Sequence, residues 1–254
     1  MAINEALVRE VHATVRAYFK GRKKSANKIY DTSAANFADL KMTPAMQKKI
    51  AWRNMNASKA WDNIKPLRES KAFDTGDMLS YGFEVLDQLE VAGNCVEMAA
   101  AAAYLVVRDK IGTAWFVGAN APADHAFCLV DDGADQHPET IGGHKGYSVS
   151  SSDGWVIDPW ANVCCKMRDY DAQFAAKMRQ WSAQGKRVRV FRPSDLAVSI
   201  LDPADPDYLG NFRVGPLTYI AVGDKLPQSV PRALYRVLPD ADRTVKKSGC
   251  CVIL

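Results

Sequence analysis

The sequence predicts an α+β fold in which a helical N-terminal region precedes a long buried helix and then a set of short strands that pair antiparallel. Three observations carry this. Apolar residues recur at helical spacing in the first eighty residues. The run CVEMAAAAAYLVVRDK, from Cys95, favours helix strongly and is apolar enough to lie at the centre of a core. The segments after it, TAWFVG, HAFCLVDD and GWVIDPW, are short, rich in aromatic and aliphatic residues, and bounded by Gly, Asp and Asn, as strands are. Helices followed by strands are the order of an α+β protein.

The elements follow in chain order. Ile3, Leu7, Val11, Val15 and Tyr18 mark an amphipathic helix, with Gly21 where a C-cap would fall. Its stripe suits the protein's own core better than a membrane surface. Residues 34–65, with Phe37, Leu40, Met46, Ile50, Trp52, Met55 and Trp61, read as further short helices with polar punctuation. After Trp160 come a helix over about 169–184 and plausible strands at RVRVF, LAVSIL and FRVGPLTYIAV, joined by Pro- and Gly-rich connections. The expected division is a helical region 1–80, a core domain 81–239 and a flexible basic tail 240–254.

At 254 residues the chain can bury a sizeable core without disulfide or metal staples. Its formal charge is +4, with basic clusters KGRKK at 20–24, KRVRVFR at 186–192 and RTVKK at 243–247. A nucleic-acid binder would carry a denser basic stripe interleaved with aromatics, so no nucleic-acid partner is expected; an anionic membrane or an acidic protein face suits the excess equally well. Six cysteines include the adjacent pairs Cys164–Cys165 and Cys250–Cys251, which close no evident disulfide framework and read as reduced thiols of a cytosolic compartment. CxxC spacing is absent and there are four histidines, so no structural metal and no other cofactor is expected. Glu5, Arg9 and Glu10 interrupt what would be the apolar core of a signal peptide, and no run of eighteen apolar residues predicts a membrane span.

Cys95 follows the turn Gly93-Asn94 and opens the long apolar helix, so its sulfur falls at the positive end of a helix dipole, which favours the thiolate. That position suits an inert core cysteine as well and does not decide by itself. His125 opens one strand and Asp158 closes another. Pairing those strands antiparallel with Phe127 opposite Val156 sets His125 directly opposite Asp158 on the same face. A carboxylate that fixes an imidazole, and an imidazole that deprotonates a thiol, make a catalytic triad for acyl transfer. The Cys95 backbone N–H is one candidate oxyanion donor. Trp155 and Trp160 flank Asp158 and either shield the pair from water or are plain core residues; His137 and His144 fall in a polar loop and read as solvated.

GNCVEMAAAAA, DHAFCLV and GWVIDPWAN together resemble the three core motifs of transglutaminase-like thiol enzymes, a branch related to papain-like folds, over roughly residues 90–163. The similarity is greatest to bacterial toxin and secreted-effector members, many of them glutamine deamidases. The resemblance implies a catalytic helix packed on an antiparallel sheet, with Cys95 as nucleophile, His125 as base and Asp158 as the residue that orients it. It also suggests Gln88 as an oxyanion donor, though a surface glutamine reads the same way. The connection between His125 and Asp158 is longer here than in compact members, which bears on substrate specificity more than on chemistry.

The last four residues, Cys251-Val252-Ile253-Leu254, fit a C-a-a-X prenylation signal, and a terminal Leu favours geranylgeranyl. Arg243, Lys246 and Lys247 lie upstream, and Cys250 is a second thiol open to palmitoylation. RTVKKSGCCVIL resembles the tails of Rho- and Ral-type small GTPases. A lipid plus a basic patch, or two lipids, is what stable anchoring needs. Prenyltransferases are eukaryotic, so an effector-like core with this tail implies a bacterial protein delivered into a host cell, lipidated by a host prenyltransferase and held at the cytoplasmic face of host membranes. The expected activity is hydrolysis of a host protein amide, foremost glutamine deamidation, with small or heterotrimeric G proteins as candidate substrates only because they share the membrane address. Proteolysis and transamidation would use the same triad, and a non-catalytic membrane adaptor is the alternative of another class.

Overall fold

Helix α1 (Glu5–Tyr18) begins where Asn4 Oδ1 accepts the N–H of Ala6 at 3.0 Å, an N-cap that supplies one of the acceptors a helix start lacks. The computed structural model describes residues 3–20, 25–32, 42–119, 125–131, 154–192, 197–206, 208–209 and 217–223, and within them the architecture is α+β. Gly21, His137, His144 and the tail with Cys250 and Cys251 lie outside the described residues. The buried face of α1 is Val8, Val11, His12 and Val15, while Leu7 is exposed. The stripe is therefore turned from the predicted one, because Val8, Val11 and Val15 keep the same helical spacing on the neighbouring face.

Strand β1 (Lys28–Tyr30) follows, within a region predicted to be helical. Helix α2 (Pro44–Arg68) is one helix of 25 residues where shorter ones were expected, while Phe37 and Leu40 of that reading lie outside the described residues. Thr43 caps it, Pro44 takes the first turn, and no Gly or Pro intervenes from residue 45 to residue 65 to stop it. Trp52, Met55 and Trp61 stay exposed, and the inward face is Ile50, Ala57, Ala60 and Ile64. The short helix α3 (Lys71–Asp74) leads to α4 (Met78–Asp87) and then to α5 (Cys95–Arg108).

Helix α5 is the centre of the molecule: Cys95 and every residue from Glu97 to Val107 are buried. Its run Ala99–Ala103 presents only methyl groups, which lets α4 come very close. A Cβ built on Gly82 of α4 would lie 2.2 Å from the Ala100 carbonyl oxygen, so the crossing requires glycine. On its other side α5 packs on an antiparallel sheet made of β2 (Thr113–Ala119), β3 (His125–Asp131), β4 (Trp155–Asp158), β5 (Val163–Lys166) and β8 (Leu217–Gly223), in the order β5-β4-β3-β2-β8. Strand β5, like β1, is an element the sequence did not announce. It forms because Asn162, at φ 64°, takes the left-handed turn that folds Val163 back onto Asp158.

Helix α6 (Met167–Ala183) then carries the chain to β6 (Lys186–Arg192) and β7 (Ala197–Leu201). These two strands and β1 make a second antiparallel sheet in the order β1-β6-β7. The N-terminal residues thus share both of the structure's main features: α1 buries Val8, Val11 and Val15 in the same core as α5, and β1 pairs with β6. Among the described residues no helix is long and apolar enough to cross a membrane.

Candidate active site

Strand register brings His125 and Asp158 to one face, though not as a directly opposed pair. Leu129 pairs with Val156 and Cys128 with Ile157, so the register continues to put Asp158 opposite Phe127, two residues from His125. The predicted pairing was Phe127 with Val156. A slip of two preserves the face, because side chains alternate with a period of two. The diagonal relation also suits the chemistry. Diagonal neighbours lie about 7–8 Å apart, against roughly 4.5–5.5 Å for opposed ones, and the far nitrogen of the imidazole spans that gap: His125 Nε2 is 2.8 Å from Asp158 Oδ2. Both side chains are fully buried.

Asp158 is held from three directions. Its Oδ1 accepts the Ala161 N–H at 2.9 Å, and its Oδ2 accepts both His125 Nε2 and the Tyr170 hydroxyl, each at 2.8 Å. Burial alone would raise the carboxyl's pKa; the imidazole and these hydrogen bonds outweigh it and hold Asp158 below the ordinary carboxylate range. Burial likewise disfavours a charged His125, but the Asp158 carboxylate and the neighbouring Cys95 thiol reverse that and raise the imidazole to about 9. With Nε2 given to Asp158, Nδ1 is the ring nitrogen left for a thiol, and Cys95 is near enough to His125 to raise the imidazole's pKa.

Cys95 reaches this point because the start of α5 is clamped. Glu97, fully buried, accepts the N–H of Asn94 at 2.7 Å through Oε2, the Arg68 Nε at 2.8 Å and the Tyr81 hydroxyl at 2.8 Å through Oε1. The first of these is one arm of a capping box. Asn94 Oδ1 in turn accepts the N–H groups of Ala26 and Asn27 at 2.8 and 3.2 Å. A Cβ on Gly93 would lie 2.7 Å from Phe19, so the turn into Cys95 also depends on a glycine. The N–H of Cys95 belongs to the first turn of α5, where intrahelical acceptors are missing, and so remains a candidate oxyanion donor.

Gln88, suggested by resemblance as a second oxyanion donor, is committed elsewhere. Its Nε2 donates to Val85 O and Ala92 O at 2.8 and 3.1 Å, and its Oε1 accepts the Ala92 N–H at 3.0 Å. Both amide hydrogens brace the turn between α4 and α5, which leaves none for a substrate oxygen. Trp160 packs against His125 with ring centroids 4.8 Å apart and planes tilted by 46°, and fixes its own indole by donating to Asn27 Oδ1 at 2.9 Å. Phe174 covers the imidazole at 5.0 Å. Trp155 does not join them: it alternates to the opposite face of β4 and lies under Arg9 and Lys166.

Three contributors carried no signal in the sequence. Tyr170, twelve residues beyond Asp158, is brought to it by the first turn of α6. Phe174 follows one helical turn later. His12 of α1 hydrogen-bonds to the Asp158 backbone, and burial, reinforced by Arg16, lowers it to about 4, so it is neutral near pH 7. A helical stripe in which one buried position is histidine gives no hint of which strand lies beneath it.

Burial pushes Cys128 well above the ordinary thiol range and Cys165 up to about 12, and no cationic partner offsets it at Cys128. No family model, no curated protein and no solved structure matches this chain.

Proposed function

We propose that the protein is a thiol enzyme of transglutaminase-like, papain-like type that hydrolyses a protein amide, foremost the side chain of glutamine on a host protein at host membranes. The observation that supports this reading most directly is the buried pair His125 Nε2 and Asp158 Oδ2, 2.8 Å apart, with Cys95 against the same imidazole. A purely structural histidine would need neither a charged partner fixed by three hydrogen bonds nor a thiol near it at the start of a helix.

The reaction follows from the roles. His125 holds the proton given up by Cys95 as the sulfur attacks the amide carbon, and the Cys95 N–H is the donor for the oxygen that becomes negative. The C–N bond breaks as the imidazolium gives its proton to the departing ammonia. Water, deprotonated by His125, then adds to the thioester, releases the acid and restores the thiol. Membrane address rests on the sequence of the tail, with Cys251 prenylated by a host enzyme and Cys250 available for a second lipid.

The test is the rate of Cys95 alkylation against pH, followed by peptide mapping in wild type and in His125→Ala. The expected result is a Cys95 reactivity curve with an apparent pKa well below about 8.5, lost in the variant. A Cys95 that titrates as a free thiol in both proteins overturns the proposal. With a trial substrate, mass decides the bond: a gain of about one dalton is deamidation, fragments are proteolysis, and uptake of a labelled amine is transamidation. An adaptor would keep its cellular effect in Cys95→Ala.

A further inference from the structure

We propose that a basic cavity beside the triad binds a multiply phosphorylated ligand, with Lys49, Arg53, Lys177 and Lys186 as the groups that meet the phosphates. This site is independent of the amide chemistry above and stands or falls without it.

The cavity, about 340 Å³, is lined by six basic side chains, Arg16, Lys28, Lys49, Arg53, Lys177 and Lys186, and by no carboxylate among the described residues. They come from five elements, α1, β1, α2, α6 and β6, so the fold gathers charges that are dispersed in the sequence. Lys49 and Arg53 stand one helical turn apart on α2, where like charges repel. Such an arrangement costs stability unless something negative joins it.

The protein supplies acceptors for only part of the set. Arg16 donates to Pro159 O at 3.1 Å and Lys28 to Trp160 O, and the Lys28 ammonium also sits over the rings of Trp160 and Trp181. Those two cations grip the turn that follows Asp158. Lys177 reaches Gln180 Oε1 at 2.9 Å, a neutral partner. Among the described residues Lys49, Arg53 and Lys186 have no carboxylate partner, and Arg53 Nη1 is sealed from solvent with no acceptor at all. The last turn of α6 lines the cavity through Gln180 and Gln184, but a helix C-terminus contributes only about half a negative charge. Burial, then Lys49, Arg53 and Lys177, press Lys186 down to about 7, which is what an unneutralised positive field does to an ammonium.

Size and geometry select the ligand class. The volume lies at the small end of ligand pockets, enough for a compact polyanion and too small for a strand of nucleic acid or a folded partner. A single phosphate carries at most about two charges, so one group would leave most of the cations unmatched, while several on one small scaffold would not. The planar guanidinium of Arg53 suits bidentate contact with phosphate oxygens. Met98, one turn along α5 from Cys95, and Pro159, next to Asp158, form the wall on the triad side.

Soluble polyphosphates and phosphoinositide headgroups share this chemistry, and the experiment separates them. Full-length protein is titrated calorimetrically with inositol hexakisphosphate at physiological ionic strength, and is sedimented with phosphatidylcholine vesicles containing phosphatidylinositol 4,5-bisphosphate or phosphatidylserine of equal total charge. The expected result is one-to-one binding of the soluble probe that Lys49→Ala/Arg53→Ala weakens at least tenfold. Vesicle binding that prefers the phosphoinositide and is lost in the same variant assigns the headgroup; soluble binding without it assigns a free ligand. Removing repelling charges should leave the double variant folded and, without ligand, at least as heat-stable as wild type; Lys49→Gln, at an exposed position, is the second variant. Absence of binding by both probes, binding unchanged in the variants, or equal binding to phosphatidylserine vesicles that ignores the variants overturns the proposal.

Discussion

The Tyr170 hydroxyl donates to Asp158 Oδ2 at 2.8 Å, the same oxygen that receives His125 Nε2. Burial and the adjacent carboxylate hold the phenol well above its ordinary pKa, so it stays a donor throughout the working pH range. Tyr170→Phe deletes that donor and leaves the ring packed against Phe127. Hydrogen bonds to a charged group contribute about 1.5–3 kcal/mol, and urea denaturation of the variant should show a loss in that range. The acid limb of Cys95 alkylation should move to higher pH, because Asp158 becomes easier to protonate. A variant that loses stability with an unmoved acid limb would make Tyr170 a packing residue only.

The His125–Asp158 pair also sets a direction for stability against pH. His125 is raised to about 9 in the folded protein, by Asp158 and Cys95 against the opposing effect of burial, from about 6.5 in the unfolded chain. Its contribution is therefore complete below about pH 6.5 and is lost as pH rises through about 9. Within that window His125 holds up to one more proton in the folded state than in the unfolded one, so its contribution to stability should fall by up to about 1.4 kcal/mol per pH unit. Asp158→Asn removes the main cause, and its urea midpoint should lose most of this slope. Equal slopes in the two proteins would place the proton elsewhere.

Much of this site is legible in the sequence because its parts sit at element boundaries. Cys95 starts a helix, His125 starts a strand and Asp158 ends one, and composition marks all three places. What composition does not mark is register. Two pairings that differ by two residues bury the same faces of β3 and β4, so the hydrophobic pattern permits both, and the tight turn at Asn162 with the extra strand β5 holds the one adopted. Gln88 shows the same limit: its spacing before Cys95 fits a donor, but its amide is used by the turn it belongs to. Residues that act across the fold, such as His12, Tyr170 and Glu97, look in sequence like ordinary helix positions.

Glu97 and Arg68 form the ion pair that supports the start of α5, with Glu97 fully buried and Arg68 partly exposed. Burial disfavours the charged guanidinium, but the carboxylate overcomes this and raises its pKa, so the two stabilise each other. Arg68→Met leaves a carboxylate buried with only Tyr81 and the Asn94 N–H, and Glu97→Gln leaves a half-buried guanidinium beside a neutral amide. Each single change should cost about 3–5 kcal/mol, and the double change clearly less than the sum, as breaking one side of a buried pair is worse than removing both. Cys95 alkylation should slow in Glu97→Gln even where the fold persists, since the turn carrying the sulfur loses its clamp. Additive losses in the cycle would show that the pair is not coupled.

The contact between α4 and α5 makes the sharpest steric demand in the molecule. A methyl on Gly82 would stand 2.2 Å from the Ala100 carbonyl oxygen and 2.9 Å from the Tyr104 Cβ, both parts of a rigid buried helix that has no free rotamer to yield. Gly82→Ala would gain helix propensity, worth about 1 kcal/mol in an unobstructed helix. Relief of the clash requires α4 to move away from α5, and overpacking of this kind costs about 1–3 kcal/mol or more. The two effects oppose, and the shorter distance decides: the variant should be net destabilised, with a lower urea midpoint and an unchanged m-value. Because Gln88 ties the end of α4 to the turn before Cys95, the displacement should also reach the thiol as slower alkylation. A Gly82→Ala protein as stable as wild type would mean that the two helices are farther apart than this packing requires.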